Sequence, residues 1–70
     1  MHREQVSSSN IKSIGYESNS KTLEIEFRDG GIYQYFNVTS NIYEELISAS
    51  SIGSFFHKYI KENYNWKKIN

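Results

Sequence analysis

Hydrophobic and polar residues alternate along the first half of the chain. The pattern is clearest in Thr22–Arg28, where Leu, Ile and Phe on one side alternate with Glu, Glu and Arg on the other. A period of two is typical of a strand with one buried face. Similar extended patterns run through Ile11–Glu17 and Ile32–Val38, and Asp29 with Gly30 is a strong hairpin signal. These segments predict a three-stranded antiparallel meander.

The second half of the chain changes to a helical period. In Thr39–Ser50 the apolar residues recur three or four positions apart, which predicts a first helix capped by Thr, Ser or Asn. After a serine-rich break, Ser51 can cap a second helix over Ile52–Tyr64, which carries a broad apolar stripe. Residues 65–70 are either a short final strand or a tail.

The predicted fold is a small α+β domain in which two α-helices pack on one face of a three-stranded antiparallel meander. Its 70 residues suit a single domain spanning residues 1–70, with residues 1–9 as a flexible lead-in. Aromatic residues make up 16% of the chain and cysteine is absent, so large rings rather than disulfides must supply much of the buried surface. The second face of the sheet is left without a helix.

The hairpin loop decides which face of the sheet Tyr33 and Tyr35 occupy. A two-residue Asp-Gly loop places both on the polar face, opposite the glutamates of the preceding strand. A three-residue Asp29–Gly31 loop places both in the core, with Tyr33 opposite Phe27, because a slip of one residue exchanges the two faces. We favour the second register, since Gln34 is then solvated and a buried glutamine would need hydrogen-bond partners.

The charge balance limits the classes of partner. Eight basic and eight acidic residues give a formal net charge of zero, which argues against strong non-specific nucleic-acid binding. No apolar run approaches the roughly 18 residues of a membrane span. The N-terminal segment lacks the apolar stretch of a signal peptide. We therefore expect a cytoplasmic protein without a membrane partner.

Few residues are suited to catalysis. The two histidines are His2 in the lead-in and His57 on a predicted helix, where Ser54 is a neighbour but a converging acid is missing. Glu24 and Glu26 alternate on a strand and most simply form a soluble face. Neither a zinc spacing nor a phosphate-binding glycine fingerprint is present, so we expect no enzyme, no cofactor and no metal.

The turn before the second helix is a candidate anion site. If that helix begins near Ile52, the free N–H groups of its first turn point outward, and Gly53 lets a ligand approach closely. Ser51 and Ser54 can donate hydrogen bonds there, and His57 lies one turn further along. The alternative is ordinary capping by Ser51, with Gly53 small for packing.

Aromatic and basic residues are the components of sites for single-stranded nucleic acid, and they occur on several of the predicted elements. With a net charge of zero we expect weak, salt-sensitive binding. The candidate residues for RNA contact are Arg28, Tyr33, Tyr35, Phe36, Lys58, Lys61, Trp66, Lys67 and Lys68.

Five segments of the chain, SSNIKSIGYE, LEIEF, YQYF, NIYEEL and ASSIGSFFHKYIK, together resemble the KTSC domain family. The resemblance covers roughly Val6–Tyr64. Tyr33 and Tyr35 match the Tyr-x-Tyr at the centre of the family's pattern. Ser51 and Gly53 match its Ser-x-Gly segment, and the aromatic pair that follows is also present.

KTSC domains resembling this chain are found at the C-terminus of some bacterial lysyl-tRNA synthetases and as small stand-alone bacterial or phage proteins. The resemblance therefore implies a non-enzymatic binding module with RNA or tRNA as its partner. The alternative is a protein–protein interaction module that binds another protein or a second copy of itself. The chain has Thr39 where the family usually has Pro, and His57 and Lys61 where it often has Asn and Arg. A specific contact made through that Asn and Arg is therefore not carried over to this chain.

Overall fold

A computed structural model describes residues 1–70. Its strands form one antiparallel five-stranded sheet in the order β1-β2-β3-β4-β5. The strands are β1 (Glu4–Gln5), β2 (Ile11–Glu17), β3 (Thr22–Phe27), β4 (Ile32–Tyr35) and β5 (Trp66–Lys68). The helices are α1 (Ser40–Ser48) and α2 (Ile52–Phe55), the latter followed directly by a π-helical turn, Phe56–Ile60. The predicted α+β class and the central meander are confirmed, and the sheet is wider than predicted.

The hairpin between β3 and β4 adopts neither of the two predicted registers. The amide of Phe27 donates to the carbonyl of Gly31 at 2.8 Å, so the loop is Arg28–Gly30. Gly30 has a φ of 99°, a left-handed conformation that glycine adopts without strain. The side chain of Asp29 accepts the amide of Gly31 at 2.9 Å and closes the turn. The loop therefore begins one residue earlier than the three-residue loop predicted from the glycines.

The observed register nevertheless places both tyrosines on the core face, as favoured from the sequence. Tyr35 pairs with Leu23, and Tyr33 pairs with Ile25. The observed pairing differs by two residues from the predicted one, and a shift of two keeps every side chain on its face. Gln34 lies opposite Glu24 on the other side of the sheet.

The core lies between the sheet and the two helices. Thr39 caps α1 by accepting the amide of Ile42 at 3.4 Å, and Leu46 is the buried residue of that helix. The fully or almost fully buried apolar side chains form one cluster, Ile11, Ile14, Leu23, Ile25, Tyr35, Val38, Leu46, Phe56 and Ile60. Both helices thus cover the same face, which confirms the predicted two-layer arrangement.

The second helix ends earlier than predicted and changes its hydrogen-bond pattern. The amide of Lys61 donates to the carbonyl of Phe56 at 2.9 Å, a π-type bond over five residues. The side chain of Asn63 then donates to the carbonyl of Tyr59 at 2.9 Å, which occupies an acceptor at the end of the helix. The predicted helical residues beyond Ile60 therefore form a turn.

Residues of the predicted lead-in form the first edge strand. Glu4 and Gln5 pair with Ile14 and Ser13. Gly15 makes this close approach feasible, because a Cβ there would lie 2.5 Å from the carbonyl oxygen of His2. The predicted final strand is also present as β5, which pairs with β4 and completes the sheet.

The sheet face without helices carries a polar network. Arg3 forms ion pairs with Glu24 and Glu26, and its Nε donates to the hydroxyl of Ser13 at 3.1 Å. Gln34 donates to the second oxygen of Glu24 at 2.8 Å. Because these partners bind its carboxylate, Glu24 can be buried with only 4% of its surface exposed. Arg3 therefore offsets part of the negative charge of Glu24 and Glu26 on the face opposite the helices.

Candidate nucleic-acid interface

A continuous cleft runs along the helix-covered side of the molecule, between the β3–β4 loop and the second helix. It consists of two adjoining cavities of about 800 and 630 Å³, which share Ser9, Asn10, Arg28 and His57. We call the first the serine half, lined by Ser7, Ser8, Ser9, Asn10, Arg28, Ser51, Ile52, Gly53, Ser54, His57 and Lys58. The second is the aromatic half, lined by Ser9, Asn10, Phe27, Arg28, Asp29, Tyr33, Tyr35, Phe56, His57, Lys61, Glu62 and Trp66.

One wall of the serine half is the turn that leads into β2. The hydroxyl of Ser8 accepts the amides of Asn10 and Ile11, each at 3.3 Å, which fixes the turn. Arg28 is bound to this wall twice, since its amide donates to the carbonyl of Asn10 and its Nε to the carbonyl of Ser8, both at 2.9 Å. The terminal guanidinium nitrogens of Arg28 are hydrogen-bonded to no protein atom and can bind an anion in the cleft.

The opposite wall of the serine half is the start of α2. Ser51 caps the helix by accepting the amide of Ser54 at 3.3 Å, and it donates to the hydroxyl of Ser54 at 3.0 Å. The structure thus shows the capping by Ser51 that the sequence analysis gave as the alternative to an anion site. The α-helical segment has only four residues, so its dipole adds little, and side-chain cations dominate the electrostatics of this half. A Cβ at Gly53 would lie 3.4 Å from the hydroxyl of Ser8 across the cleft, so glycine keeps the cleft open here.

The aromatic half is built from rings that contact one another in series. Trp66 lies 5.5 Å from Tyr33, Tyr33 lies 5.5 Å from Phe27, and Phe27 lies 5.5 Å from Phe56, measured between ring centroids. The series starts at Trp66, which is 55% exposed, and ends in the core at Tyr35. The exposed end offers an indole face on which a planar base can stack.

Tyr35 belongs to the core rather than to the stacking surface. It is 4% exposed, and its ring packs edge-on against Phe56 at 5.3 Å. Burial, with a smaller contribution from the nearby Tyr33, raises the pKa of its hydroxyl to about 12. Of the two tyrosines in the Tyr-x-Tyr pair, the half-buried Tyr33 therefore offers a ligand more surface than Tyr35 does.

The cations of the cleft form no ion pairs within the protein. The ion pairs of the protein involve His2 and Arg3, both outside the cleft. Arg28, Lys58 and Lys61 are exposed and have no carboxylate within ion-pair distance. A protein with a net charge of zero can thus present local positive charge in the serine half, because Glu24 and Glu26 lie on the other face of the sheet.

Three of the predicted RNA-contact residues lie at or beyond the edge of the cleft. Lys68 pairs with Tyr33, and its Nζ lies 5.9 Å from the centre of that ring, so it extends the aromatic half. Lys67 pairs with Gln34 and belongs to the opposite face of the sheet. Phe36 lines a separate shallow cavity beside Tyr64.

Comparison with known proteins assigns the family. A family model described as the KTSC domain matches residues 7–64. The chain belongs to the KTSC domain family. A crystal structure of a KTSC domain protein from Yersinia pestis superposes with a TM-score of 0.96 at 43% sequence identity, over 99% of this chain and 97% of that one. The five-stranded sheet with two helices is accordingly the fold shared with that KTSC protein.

Two kinds of curated relative are similar to this KTSC chain. A lysine–tRNA ligase from Trichormus variabilis is 42% identical over 59 residues, which cover 84% of the chain and 10% of the ligase. An uncharacterised protein from Stutzerimonas stutzeri is 33% identical over 70 residues, covering 99% of both chains. The KTSC chain thus spans about a tenth of the length of the ligases it matches and the whole length of a small protein.

Several lining residues of the KTSC cleft were absent from the sequence prediction. They come from the Ser-Ser-Ser-Asn run before β2, from the core rings and from two acids, namely Ser8, Ser9, Asn10, Phe27, Phe56, Asp29 and Glu62. The signal for the first group was present, because a serine two or three residues before a strand can fix a turn through its hydroxyl. The acids carried no such signal, since their position depends on how the β3–β4 loop meets the π-helical turn.

In the KTSC structure, no three His, Asp or Glu side chains come together in a way that could hold a metal ion. None of its helices has the length and apolar character needed to cross a membrane.

Proposed function

We propose that the protein binds single-stranded RNA in the cleft, with backbone phosphates at the cations Arg28, Lys58 and Lys61 and with a base in the aromatic half. The observation that carries the proposal is the adjacency of the two halves through Arg28 and His57. Single-stranded nucleic acids present a charged backbone next to a flat base, and proteins bind them with cations next to aromatic faces. The cleft provides both within one continuous surface.

The relatives provide a context for this activity. Because the chain matches part of proteins named lysine–tRNA ligase, we infer that tRNA is the natural RNA partner and that binding takes place in the cytoplasm. The role is proposed to be non-enzymatic. The hydroxyl of Ser54 is hydrogen-bonded to Ser51 rather than to His57, so the two groups do not form a nucleophile–base pair in this arrangement.

The protein–protein alternative has less support. Strand addition needs a free edge, and the two edge strands, β1 and β5, have only two and three residues. An exposed edge of this length provides few backbone hydrogen bonds for a partner or a second copy.

A salt-dependent RNA titration tests the proposal. With Arg28, Lys58 and Lys61 each neutralising one phosphate, the logarithm of the affinity should fall with the logarithm of salt with a slope of about −2. Raising salt from 50 to 200 mM should therefore weaken the binding of a labelled, unstructured RNA oligonucleotide about 20-fold, as measured by fluorescence anisotropy.

Matched variants locate the binding to the cleft. Lys58→Ala combined with Lys61→Ala should reduce the slope to about −0.7, because one cation remains. Lys67→Ala removes an exposed lysine from the opposite face of the sheet and should leave both affinity and slope unchanged. An absence of binding at 50 mM salt, or an equal loss in the control, would contradict the proposal.

A further inference from the structure

The two halves of the cleft differ in their acidic groups. The serine half contains Arg28, His57 and Lys58 and is lined by no acid. The aromatic half contains two carboxylates, Asp29 and Glu62, beside the cations Arg28 and Lys61. The charges of these two cations and two carboxylates cancel, so the aromatic half attracts the RNA backbone less than the serine half does. Its acids accept hydrogen bonds and therefore suit a group that donates them.

Glu62 is the carboxylate that is free to bind a ligand with both oxygens. Asp29 already uses one oxygen to accept the amide of Gly31 at 2.9 Å, and this bond holds the β3–β4 loop. Glu62 accepts no hydrogen bond within the protein and takes part in no ion pair. It lies four residues before Trp66 in sequence, in the turn that leads into β5, and the two line the same cavity.

The edge of guanine matches this arrangement. Guanine presents two adjacent donors, N1–H and the 2-amino group, which a carboxylate can accept with both oxygens. Adenine and cytosine present one amino group on that edge, and uracil presents one imino group. Charge-assisted bidentate hydrogen bonds are stronger than single neutral ones and impose a defined orientation.

We propose that the aromatic half is selective for guanine, with the base contacting the rings of Trp66 and Tyr33 and with Glu62 accepting its N1–H and 2-amino group. The inference rests on the proposed RNA-binding function and specifies its base preference. It also sets the orientation of the nucleotide, because the serine half, which has cations and no acid, attracts the neighbouring phosphate.

Pentaribonucleotides that differ at the central base test the preference. UUGUU, UUAUU, UUCUU and UUUUU are titrated at one fixed salt concentration, and binding is followed by the fluorescence of Trp66, which is the single tryptophan of the chain. UUGUU should bind about tenfold more tightly than the other three, the discrimination expected of one good bidentate pair. The same oligonucleotide with inosine at the centre keeps the ring but lacks the 2-amino group, and it should lose most of the advantage.

Variants assign the preference to Glu62. Glu62→Gln should bring UUGUU to within about twofold of UUUUU, because an amide cannot accept both donors. It should leave the binding of UUUUU intact, which shows that the variant is folded. Glu45→Gln, an exposed carboxylate on α1, is the matched control and should keep the full preference.

The outcomes separate this inference from the function on which it rests. Equal binding of all five oligonucleotides would overturn the guanine preference and leave RNA binding in place. Loss of the preference in Asp29→Asn but not in Glu62→Gln would overturn the assignment of Glu62. Failure of every oligonucleotide to bind would remove the proposed function itself and the inference with it.

Discussion

Ionisation of Tyr35 should couple the stability of the fold to alkaline pH. The hydroxyl has a pKa of about 12 in the folded protein, raised mainly by burial, against about 10 in an unfolded chain. Between these values the folded state keeps a proton that the unfolded state loses. The stabilisation is therefore complete below pH 10 and is lost as the pH rises towards 12.

The size of the effect follows from the shift. Two pKa units correspond to about 2.7 kcal/mol, and roughly half of this, about 1.4 kcal/mol, is lost by pH 11. Tyr35→Phe removes the titrating group, and the hydroxyl forms no hydrogen bond within the protein. The variant should therefore match the parent within about 0.5 kcal/mol at pH 8.

Urea denaturation at pH 8 and pH 11 measures both effects. The parent should lose about 1.4 kcal/mol more than Tyr35→Phe between the two pH values. The variant will still lose some stability, because burial also raises the pKa of Tyr16. Equal losses in the parent and in Tyr35→Phe would refute the placement of Tyr35 in the core.

Three further predictions concern the cleft and the polar network. Gly53→Ala should stabilise the protein by about 0.5 kcal/mol in denaturant unfolding, because alanine favours the helix. It should also weaken RNA binding measured by fluorescence anisotropy, because the added Cβ narrows the serine half. Arg3→Ala should lower the free energy of unfolding by about 2 kcal/mol, because the buried Glu24 loses its ion pair and keeps only the hydrogen bond from Gln34. It should leave RNA affinity unchanged. Trp66→Ala should weaken RNA binding about tenfold while changing stability little, since the ring is 55% exposed.

The sequence predicted which face of a strand is buried better than it predicted the register between strands. Gln34 between two tyrosines indicated which side of β4 is buried, since the period of two leaves only two choices. The loop itself was not determined, because consecutive glycines after Asp29 are compatible with several turns, and the choice depends on the contact between Asp29 and the amide of Gly31. Strand β1 was missed since its two residues carry no detectable period, and the indirect sign was Gly15 in the neighbouring strand.

In the candidate site too, the sequence predicted local groupings of residues but not the long-range contacts between them. Ser51, Gly53, Ser54 and His57 were grouped from the sequence because they are neighbours along one helix. Their meeting with Arg28 depends on contacts between residues 20 or more apart in sequence, such as the bond from its Nε to the carbonyl of Ser8. Periodicity carries no information about such long-range pairs.

The central claim is that one cleft binds a phosphate in its serine half and a base in its aromatic half. The most direct measurement is an amide and indole NMR titration of the labelled protein with UUGUU. We expect the largest shifts at Ser8–Asn10, at Gly53–Lys58 and at the indole N–H of Trp66, with little change at Glu24 or Gln34 on the opposite face of the sheet. Shifts centred on that opposite face, or none at all, would contradict the account.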